Sequence, residues 1–411
     1  MGLDSREYVY ERFSEFYRDP ANAVPAPPLP HQREFGYLTF KDKFMVRHRR
    51  FEQIANFRAV LADTVPSDVY HSCAYYENPD FDMDKKGWIG SDIVFDIDAD
   101  HIPTRCNKIH DEFRCAKCGF EGRGITPEEC PCCGGTKFQT KIWACDLCIA
   151  SARDEVAKLL DMLEKDFGFS QDEVRVFFSG HRGYHVHIES EVVRSLDAMA
   201  RKEIVDYVTG LGVAVLEKED KEQGARRRKK QSKKFNLHNY GWNRRLKVGM
   251  QTFLETASAD DLKEVGLRNK ALLERKDTII KRAIAEGRWE SIQGVSVQTW
   301  LKLAEHIREV QAAKIDTVVT TDIHRLIRMN GTLHGKTGLK KVEFKPKDLQ
   351  TFDPFTGAVA FKKGKVKVLV SDAPEFRMSG ETLGPYKNQT VELPVAAAVL
   401  LICKRRAEVV P

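Results

Sequence analysis

Alternation of apolar and polar residues predicts strands in the first part of the chain. The segment 34–51 alternates in this way, and Asp92–Asp98 (DIVFDID) does so with a period of two. A period of two is typical of a half-buried strand, because successive side chains point to opposite faces. Two short apolar runs, Val174–Phe178 and Tyr184–Ile188, are joined by SGHRG and predict a β-hairpin. Strands return at Asp316–Thr321 and continue through Val370.

Helical periodicity dominates elsewhere. Between Ser151 and Phe167 the apolar residues recur at helical spacing, which predicts an amphipathic helix. Ser258, followed three residues later by an acid, resembles a capping box and predicts the start of a long helix that ends near Gly287. Further helices are predicted at Val297–Lys314 and, as a closing element, at Val395–Val409.

The order of these elements predicts an α+β fold: a mixed α/β core interrupted by a cysteine-rich module and by a helical insertion. We expect the core to occupy 1–101, 150–190 and 316–411, the cysteine-rich module 102–149 and the helical insertion 191–315.

Composition narrows the class of protein. The chain has 411 residues, of which 42% are hydrophobic and 31% charged, as in globular proteins. No window approaches eighteen uncharged apolar residues, so no membrane-spanning helix is expected. The N-terminus is charged throughout and does not resemble a signal peptide.

The net charge of +6 arises locally. Gly224–Lys234 contains seven basic residues and no acid, and the rest of the chain is nearly neutral. Two interpretations remain open for the run 226–234: a solvated loop, or a loop that contacts the phosphates of a nucleic acid. The overall charge is therefore poor evidence for function.

Cysteine spacing predicts metal binding. Eight of the ten cysteines lie between Cys106 and Cys148. Such clustering without a secretion signal favours metal ligands over disulfides. Two Cys-x2-Cys pairs eleven residues apart are typical of a tetrahedral zinc ribbon, with the ligands Cys115, Cys118, Cys130 and Cys133. Cys132 is an alternative to Cys133.

A second zinc site is predicted around the remaining pair, Cys145 and Cys148. Two more ligands are needed, and Cys106 and His110 lie on the other side of the ribbon. His101 is the alternative to His110. The chain would thus hold one or two structural Zn²⁺ ions.

Paired carboxylates indicate catalytic metal binding. Asp96 and Asp98 leave the same face of their predicted strand, about 6.5–7 Å apart at Cα. Like charges at this spacing repel unless cations lie between them, and two carboxylates sharing two ions are typical of phosphoryl transfer. The alternative is a solvated strand end. An EF-hand is excluded, because His101 occupies the position of its turn glycine.

Two segments carry residue types that bind phosphate. The hairpin turn contains Ser179, His181 and Arg182 between two glycines and is followed by His185. Glycines let the backbone approach a phosphate, and arginine forks onto its oxygens. The segment 321–338 adds a carboxylate, Asp322, and the run Gly335–Lys336–Thr337, which misses the P-loop pattern by one residue.

These motifs together resemble the small, catalytic subunit of the archaeal and eukaryotic type of DNA primase. The similarity runs in order through REFGYLTFKDKF, VYHSCAYYENP, DIVFDIDADH, CDLCIASARDEV, VFFSGHRGYHVHI, TTDIHRLIRMNGTLHGKTGLK and VELPVAAAVLL. The helical insertion is the least similar part. Some relatives carry a second arginine where this chain has His181, and the ribbon looks like an insertion inside the family's zinc knuckle.

The resemblance implies a core with an RRM-like sheet and an activity, DNA-templated synthesis of RNA primers from nucleoside triphosphates. It implies that two Mg²⁺ or Mn²⁺ ions are held by Asp96, Asp98 and Asp322. Contacts to the nucleoside triphosphate are implied for Arg47, Ser179, His181, Arg182, His185, His334 and Lys336. The implied partners are the large primase subunit, which carries an iron–sulfur cluster, a single-stranded DNA template and an RNA or DNA primer. The location would be cytoplasmic in an archaeon and nuclear in a eukaryote.

Two other functions remain open at this point. One is a primase-like repair polymerase that extends DNA ends. The other is a non-catalytic nucleic-acid-binding protein built on the zinc ribbon, which would not need Asp96, Asp98 and Asp322 together.

Overall fold

The structure is a computed structural model that describes residues 4–22, 24–213, 239–267, 271–285 and 292–410. Within these ranges the side chains of residues 101, 283 and 285 are not described. The basic run 226–234, and with it the question of a nucleic-acid contact there, lies outside the described residues.

The strands are numbered in chain order. They are β1 Phe35–Leu38, β2 Met45–Arg49, β3 Asp68–Ser72, β4 Ala74–Tyr76, β5 Trp88–Ser91, β6 Ile93–Asp98, β7 Glu112–Cys115, β8 Glu121–Arg123, β9 Phe138–Lys141, β10 Val174–Phe178, β11 Gly183–Ile188, β12 Leu326–Arg328, β13 Val342–Phe344, β14 Lys365–Ala373, β15 Phe376–Met378, β16 Glu381–Leu383, β17 Tyr386–Pro394 and β18 Ala407–Val409.

The α-helices are numbered in the same way. They are α1 Ser5–Arg18, α2 Ile54–Thr64, α3 Asn107–His110, α4 Asp146–Lys165, α5 Glu191–Arg194, α6 Ala198–Val208, α7 Gly241–Thr256, α8 Ala259–Glu264, α9 Ala271–Glu274, α10 Lys276–Thr278, α11 Val297–Gln311, α12 Thr317–Thr321, α13 Pro354–Gly357 and α14 Val395–Cys403. A π-helical turn, Ile279–Ala285, follows α10.

The chain forms two compact units. The first contains 1–157, 170–202 and 314–411, and the second contains 158–169 and 203–313. The mixture of several sheets and helices confirms the α+β class. The domain bounds and the RRM-like description of the core stay predictions.

Two four-stranded antiparallel sheets dominate the first unit. One has the order β12-β3-β1-β2 and the other the order β13-β10-β11-β6. The hairpin predicted around SGHRG is confirmed as β10 and β11, with Phe178 opposite Tyr184. The predicted strand at Asp92–Asp98 is confirmed as β6, in which Ile93, Phe95 and Ile97 are completely buried.

An aromatic core stabilises the first sheet. Phe35 on β1 contacts Phe57 on α2 with 4.7 Å between ring centroids, and Phe51 lies 4.8 Å from Phe57. Phe13 on α1 and Val399 on α14 belong to the same buried cluster. Large rings dominate core energetics because each buries much apolar area. The two ends of the chain thereby pack on the same sheet.

The predicted strand at Asp316–Thr321 is wrong, because Thr317–Thr321 forms the short helix α12. The β-branched run TVVTT has a high strand propensity. However, Asp316 is the N-cap of α12, and its carboxylate accepts a hydrogen bond from the Val318 amide at 3.0 Å. Capping and packing against β6 therefore override the local propensity.

The predicted closing helix Val395–Val409 is correct only in its first part. Helix α14 ends at Cys403, and Arg405 adopts a left-handed conformation with φ of 56°. The chain then continues as β18, which pairs with β14. Residues Ala407–Val409, which the apolar pattern assigned to the helix, therefore pair with β14 as a strand.

The second unit is helical. Its core includes Leu246 on α7 together with Trp300 and Leu303 on α11. The capping box at Ser258 and Asp261 is confirmed. The predicted long helix after it is wrong, because α8 ends at Glu264 and Gly266 has a φ of 73°. A positive φ suits glycine and terminates a helix.

Among the described residues, no helix combines the length and the apolar character that crossing a membrane requires.

Replacing Phe57 by alanine tests the aromatic core. We expect Phe57→Ala to lower the free energy of unfolding by about 3–5 kcal/mol, because a fully buried ring leaves a cavity. Denaturant unfolding followed by circular dichroism measures this. The exposed neighbour Asn56 offers a control, and Asn56→Ala should change stability by less than about 0.5 kcal/mol. Equal effects of the two substitutions would contradict this account of the core.

Candidate functional site

Two carboxylates lie on one face of β6, at its carboxyl end. Asp98 pairs across the strands with Gly183 and Asp96 with His185. The Nε2 atom of His185 lies 3.5 Å from an oxygen of Asp96. Burial, reinforced by Lys341 and Arg328, holds the pKa of His185 well below its ordinary value. His185 is therefore a neutral imidazole beside the acids.

A third carboxylate joins this pair, and it is Asp316. The Asp316 amide donates a hydrogen bond to the carbonyl of Asp96 at 2.8 Å, which ties the start of α12 to β6. Burial and the charges of Asp98 and Asp316 raise the pKa of Asp96 to about 7. Acids that raise each other's pKa in this way repel each other unless cations neutralise them. Their oxygens are the donors that Mg²⁺ and Mn²⁺ prefer, so the residues fit a divalent metal site.

Asp322, the third acid predicted from the sequence, lies at the other end of α12. Its carboxylate accepts a hydrogen bond from the His324 amide at 2.9 Å. Burial raises the pKa of Tyr76 and the hydrogen bond with Glu34 raises that of Arg47, and the charge of Asp322 adds to both shifts. Asp316 went unpredicted because the β-branched run after it was interpreted as a strand. The preference of aspartate for N-cap positions was the available signal.

The turn between β10 and β11 brings several predicted phosphate-binding residues together. The Ser179 hydroxyl accepts hydrogen bonds from the amides of His181 and Gly183, both at 3.3 Å. A Cβ on Gly183 would lie 2.3 Å from the carbonyl of Ile97, so only glycine permits the turn to approach β6 this closely.

The segment after β12 packs against this turn. The His334 ring stacks on His181 with centroids 5.1 Å apart, and the Lys336 amide donates to His334 Nδ1 at 3.1 Å. The Thr337 hydroxyl donates to the carbonyl of Gly180 at 2.5 Å. The structure therefore brings His181, His334 and Lys336 together.

Two arginines, Arg47 and Arg328, lie near the carboxylates and the histidines of this site. Arg47 on β2 donates to the buried carboxylate of Glu34 at 2.9 Å and 3.2 Å, and its side chain is 37% exposed. Arg328 was not singled out from the sequence. It pairs with Asp68 at 2.8 Å, and its charge contributes to the low pKa values of His185 and His334.

Arg182 is buried and surrounded by acids. Its Nε lies 3.7 Å from an oxygen of Asp98 and contacts Asp100. Its Nη1 donates to Asp111 at 3.0 Å and to the Trp143 carbonyl at 3.1 Å. A buried guanidinium is stable only when acceptors surround it in this way. Arg182 thus connects β6 to the cysteine-rich module.

The inner cysteine group has the geometry of a zinc site. Cys115, Cys118, Cys130 and Cys133 place their sulfurs within 4.8 Å of one another. The Sγ–Sγ distances are 3.7 Å for Cys115–Cys133 and for Cys118–Cys130. A tetrahedral site with Zn–S bonds of about 2.3 Å requires sulfurs about 3.8 Å apart. Cys132 is exposed and lies outside this group, which favours Cys133 as the ligand.

The outer group consists of Cys106, His110, Cys145 and Cys148, whose ligand atoms also lie within 4.8 Å of one another. The Cys148 sulfur is 3.5 Å from that of Cys106, 3.7 Å from that of Cys145 and 3.4 Å from His110 Nε2. These distances suit zinc as well, and His110 occupies the position predicted for it. The side chain of the alternative, His101, lies outside the described residues.

Asp111 orients the histidine of the outer group. One of its oxygens lies 2.8 Å from His110 Nδ1 and accepts the Trp143 amide at 3.0 Å. The other oxygen accepts the Arg182 guanidinium. A carboxylate on the distal nitrogen fixes the tautomer that leaves Nε2 free for a metal. One carboxylate therefore serves both the outer group and Arg182.

Zinc analysis tests the two groups. We expect two zinc ions per chain, and Cys118→Ser should reduce this to one, because the inner site loses one of four thiolates. Cys132→Ser is the matched control and should keep two. Loss of a zinc ion in Cys132→Ser would contradict the assignment of Cys133.

A second prediction concerns Asp111. Asp111→Asn should weaken zinc binding at the outer site by about 10-fold or more, because the orienting hydrogen bond loses its charge. Competition with a chromogenic chelator measures this affinity. Glu112→Gln removes the neighbouring carboxylate, which contacts Arg123 instead, and should leave the affinity unchanged. Similar losses in both variants would show that Asp111 has no special role.

Comparisons with known proteins identify the family of this chain. The profile of the DNA primase small subunit family matches residues 141–346. The chain is 34% identical to a protein of Cenarchaeum symbiosum named DNA primase small subunit, over 96% of both chains. Proteins with the same name from Nitrosopumilus maritimus and Methanococcoides burtonii are 30% and 31% identical, over 98% and 100% of both chains. The chain therefore belongs to the DNA primase small subunit family.

Proposed function

We propose that the chain is the catalytic subunit of a DNA primase and synthesises RNA primers on single-stranded DNA from nucleoside triphosphates. The observation that carries this proposal is the set of three carboxylates, Asp96, Asp98 and Asp316, beside the turn Ser179–Gly183 and the segment around Lys336. Acids that attract divalent metal ions thus adjoin groups that attract phosphates. Nucleotidyl transfer requires this combination.

We propose Asp316 as the third metal-binding acid in place of Asp322. The hydrogen bond from its amide to Asp96 and its effect on the pKa of Asp96 support this choice. When bound, two Mg²⁺ or Mn²⁺ ions would activate the attacking 3′-hydroxyl and offset the charge on the leaving pyrophosphate. The three carboxylates position that chemistry at the end of β6.

The remaining residues orient the triphosphate. Lys336 and Arg182 supply positive charge, and the neutral His185 can donate a hydrogen bond without adding charge next to Asp96. Ser179 and His181 belong to the turn whose glycines bring the backbone close. Positioning and electrostatic stabilisation account for most of the rate enhancement in such transfers. We also place His334 and Arg47 in this set.

The two cysteine groups each hold a structural Zn²⁺ ion in this proposal. The outer site fixes Asp111 and through it Arg182, so it supports the catalytic strand. The partners are a large primase subunit, as the names of the relatives imply, together with a single-stranded template and a primer.

Replacing each of the two candidate acids, Asp316 and Asp322, by asparagine tests the proposal. In an assay with unprimed single-stranded DNA and ribonucleotides, Asp316→Asn should lower primer synthesis by roughly a hundredfold or more, because metal-bound charge stabilisation amounts to several kcal/mol. Asp322→Asn should cause a clearly smaller loss. Zinc content and the unfolding midpoint should stay unchanged in both variants.

Several outcomes would refute parts of this proposal. If Asp322→Asn were inactive and Asp316→Asn active, the acid predicted from the sequence would be the correct one. Extension of primed DNA without any synthesis on unprimed DNA would indicate a repair polymerase. Nucleic-acid binding without metal-dependent incorporation would indicate a non-catalytic zinc protein.

A further inference from the structure

A lysine far along the chain reaches the turn after β10. Lys404 follows α14, and its Nζ lies 2.7 Å from His181 Nε2, across a sequence separation of 223 residues. His181 in turn stacks on His334, next to Lys336. Lys404 therefore joins the cluster of proposed nucleotide-binding residues, although nothing in its local sequence indicates such a role.

The charges around Lys404 are positive. Burial and the charges of Arg182, Lys336 and Arg406 together lower the pKa of Lys404 to about 7. In the part of the chain that the structure describes, no carboxylate forms an ion pair with Lys404. A partly buried cation among cations is unfavourable, and either loss of its proton or the binding of an anion relieves the unfavourable free energy. The surroundings of Lys404 therefore favour the binding of a negatively charged ligand.

The contact with His181 determines what the imidazole can offer. A charged ammonium can only donate, so Nε2 of His181 accepts and its Nδ1 carries the proton. Burial and the charge of Lys404 hold the pKa of His181 well below its ordinary value, so the ring stays neutral. The pair therefore presents one positive charge and a separate N–H donor.

We propose that Lys404 binds the triphosphate of the incoming nucleotide and, through its contact with His181, adds a positive charge to the turn between β10 and β11. This inference rests on the proposed function and adds a contact to it. Lysine is a common phosphate ligand because its ammonium acts as a point charge. The C-terminal segment would thus contribute directly to substrate binding.

A simpler role must be distinguished. Lys404 is the C-cap of α14, and a basic residue there can stabilise the helix through its free carbonyl groups. A capping role predicts a lower unfolding temperature on substitution and no effect on anion affinity. A phosphate contact predicts a loss of anion affinity.

The test uses the full chain and inorganic tripolyphosphate as probe. Isothermal titration calorimetry at fixed ionic strength should show about 10-fold weaker binding for Lys404→Met and near wild-type binding for Lys404→Arg, since a charge-assisted hydrogen bond is lost in the first and kept in the second. Lys365→Met is the matched control, because Lys365 on β14 is exposed and loses the same charge. It should bind as the wild type does.

Kinetics give a second measurement. In primer synthesis, Lys404→Met should raise the KM for ribonucleotides by about 10-fold with a smaller change in kcat. Unchanged affinity and KM in Lys404→Met would overturn the inference, as would equal losses in Lys365→Met. A change confined to kcat would overturn it as well.

A footprint on the wild-type protein covers the case in which Lys404→Met does not fold. Tripolyphosphate should slow acetylation of Lys404 by acetic anhydride, followed by mass spectrometry, and leave Lys365 unaffected. An unprotected Lys404 would overturn the inference. If tripolyphosphate protected Lys404 in a protein that makes no primers, the polyphosphate contact would stand and the proposed function would fall.

Discussion

The pairing of Arg182 with acids on both sides is the interaction on which the site depends. Its guanidinium lies between Asp98 on β6 and Asp111 in the cysteine-rich module, and it is almost completely buried. A buried charge of this kind is costly to leave unpaired, so each acid is held where the arginine requires it. The module is therefore an integral support of β6 and not a separate appendage.

Two opposite electrostatic imbalances lie side by side in this site. Asp96, Asp98 and Asp316 form a concentration of negative charge, and burial together with the charges of Asp98 and Asp316 raises the pKa of Asp96. Lys404 lies near Arg182 and Lys336, and burial together with their positive charges lowers the pKa of Lys404. A metal–triphosphate complex carries cations that would neutralise the acids and phosphates that would neutralise the basic residues. A single ligand would therefore reduce the repulsion within both groups.

Sequence patterns predicted the features that depend on local periodicity or spacing. The strand with Asp96 and Asp98, the hairpin around Gly180 and the two cysteine groups all follow from such patterns. Asp316 was missed because a capping hydrogen bond and packing on β6 outweigh the strand propensity of TVVTT. Lys404 was missed because its contact with His181 is purely tertiary. The long helix after Ser258 failed at Gly266, where backbone conformation overrides apolar spacing.

The nesting of one cysteine group inside the other has a consequence for the order of assembly. The inner pair Cys118–Cys130 spans 12 residues, whereas the outer pair Cys106–Cys148 spans 42. Closing the longer loop costs about 1 kcal/mol more in chain entropy, unless the inner ribbon has already formed and shortened it. A chain that forms the inner ribbon first would therefore meet a smaller entropic barrier to assembling the outer ligands, and with them Asp111, the partner of Arg182 beside β6.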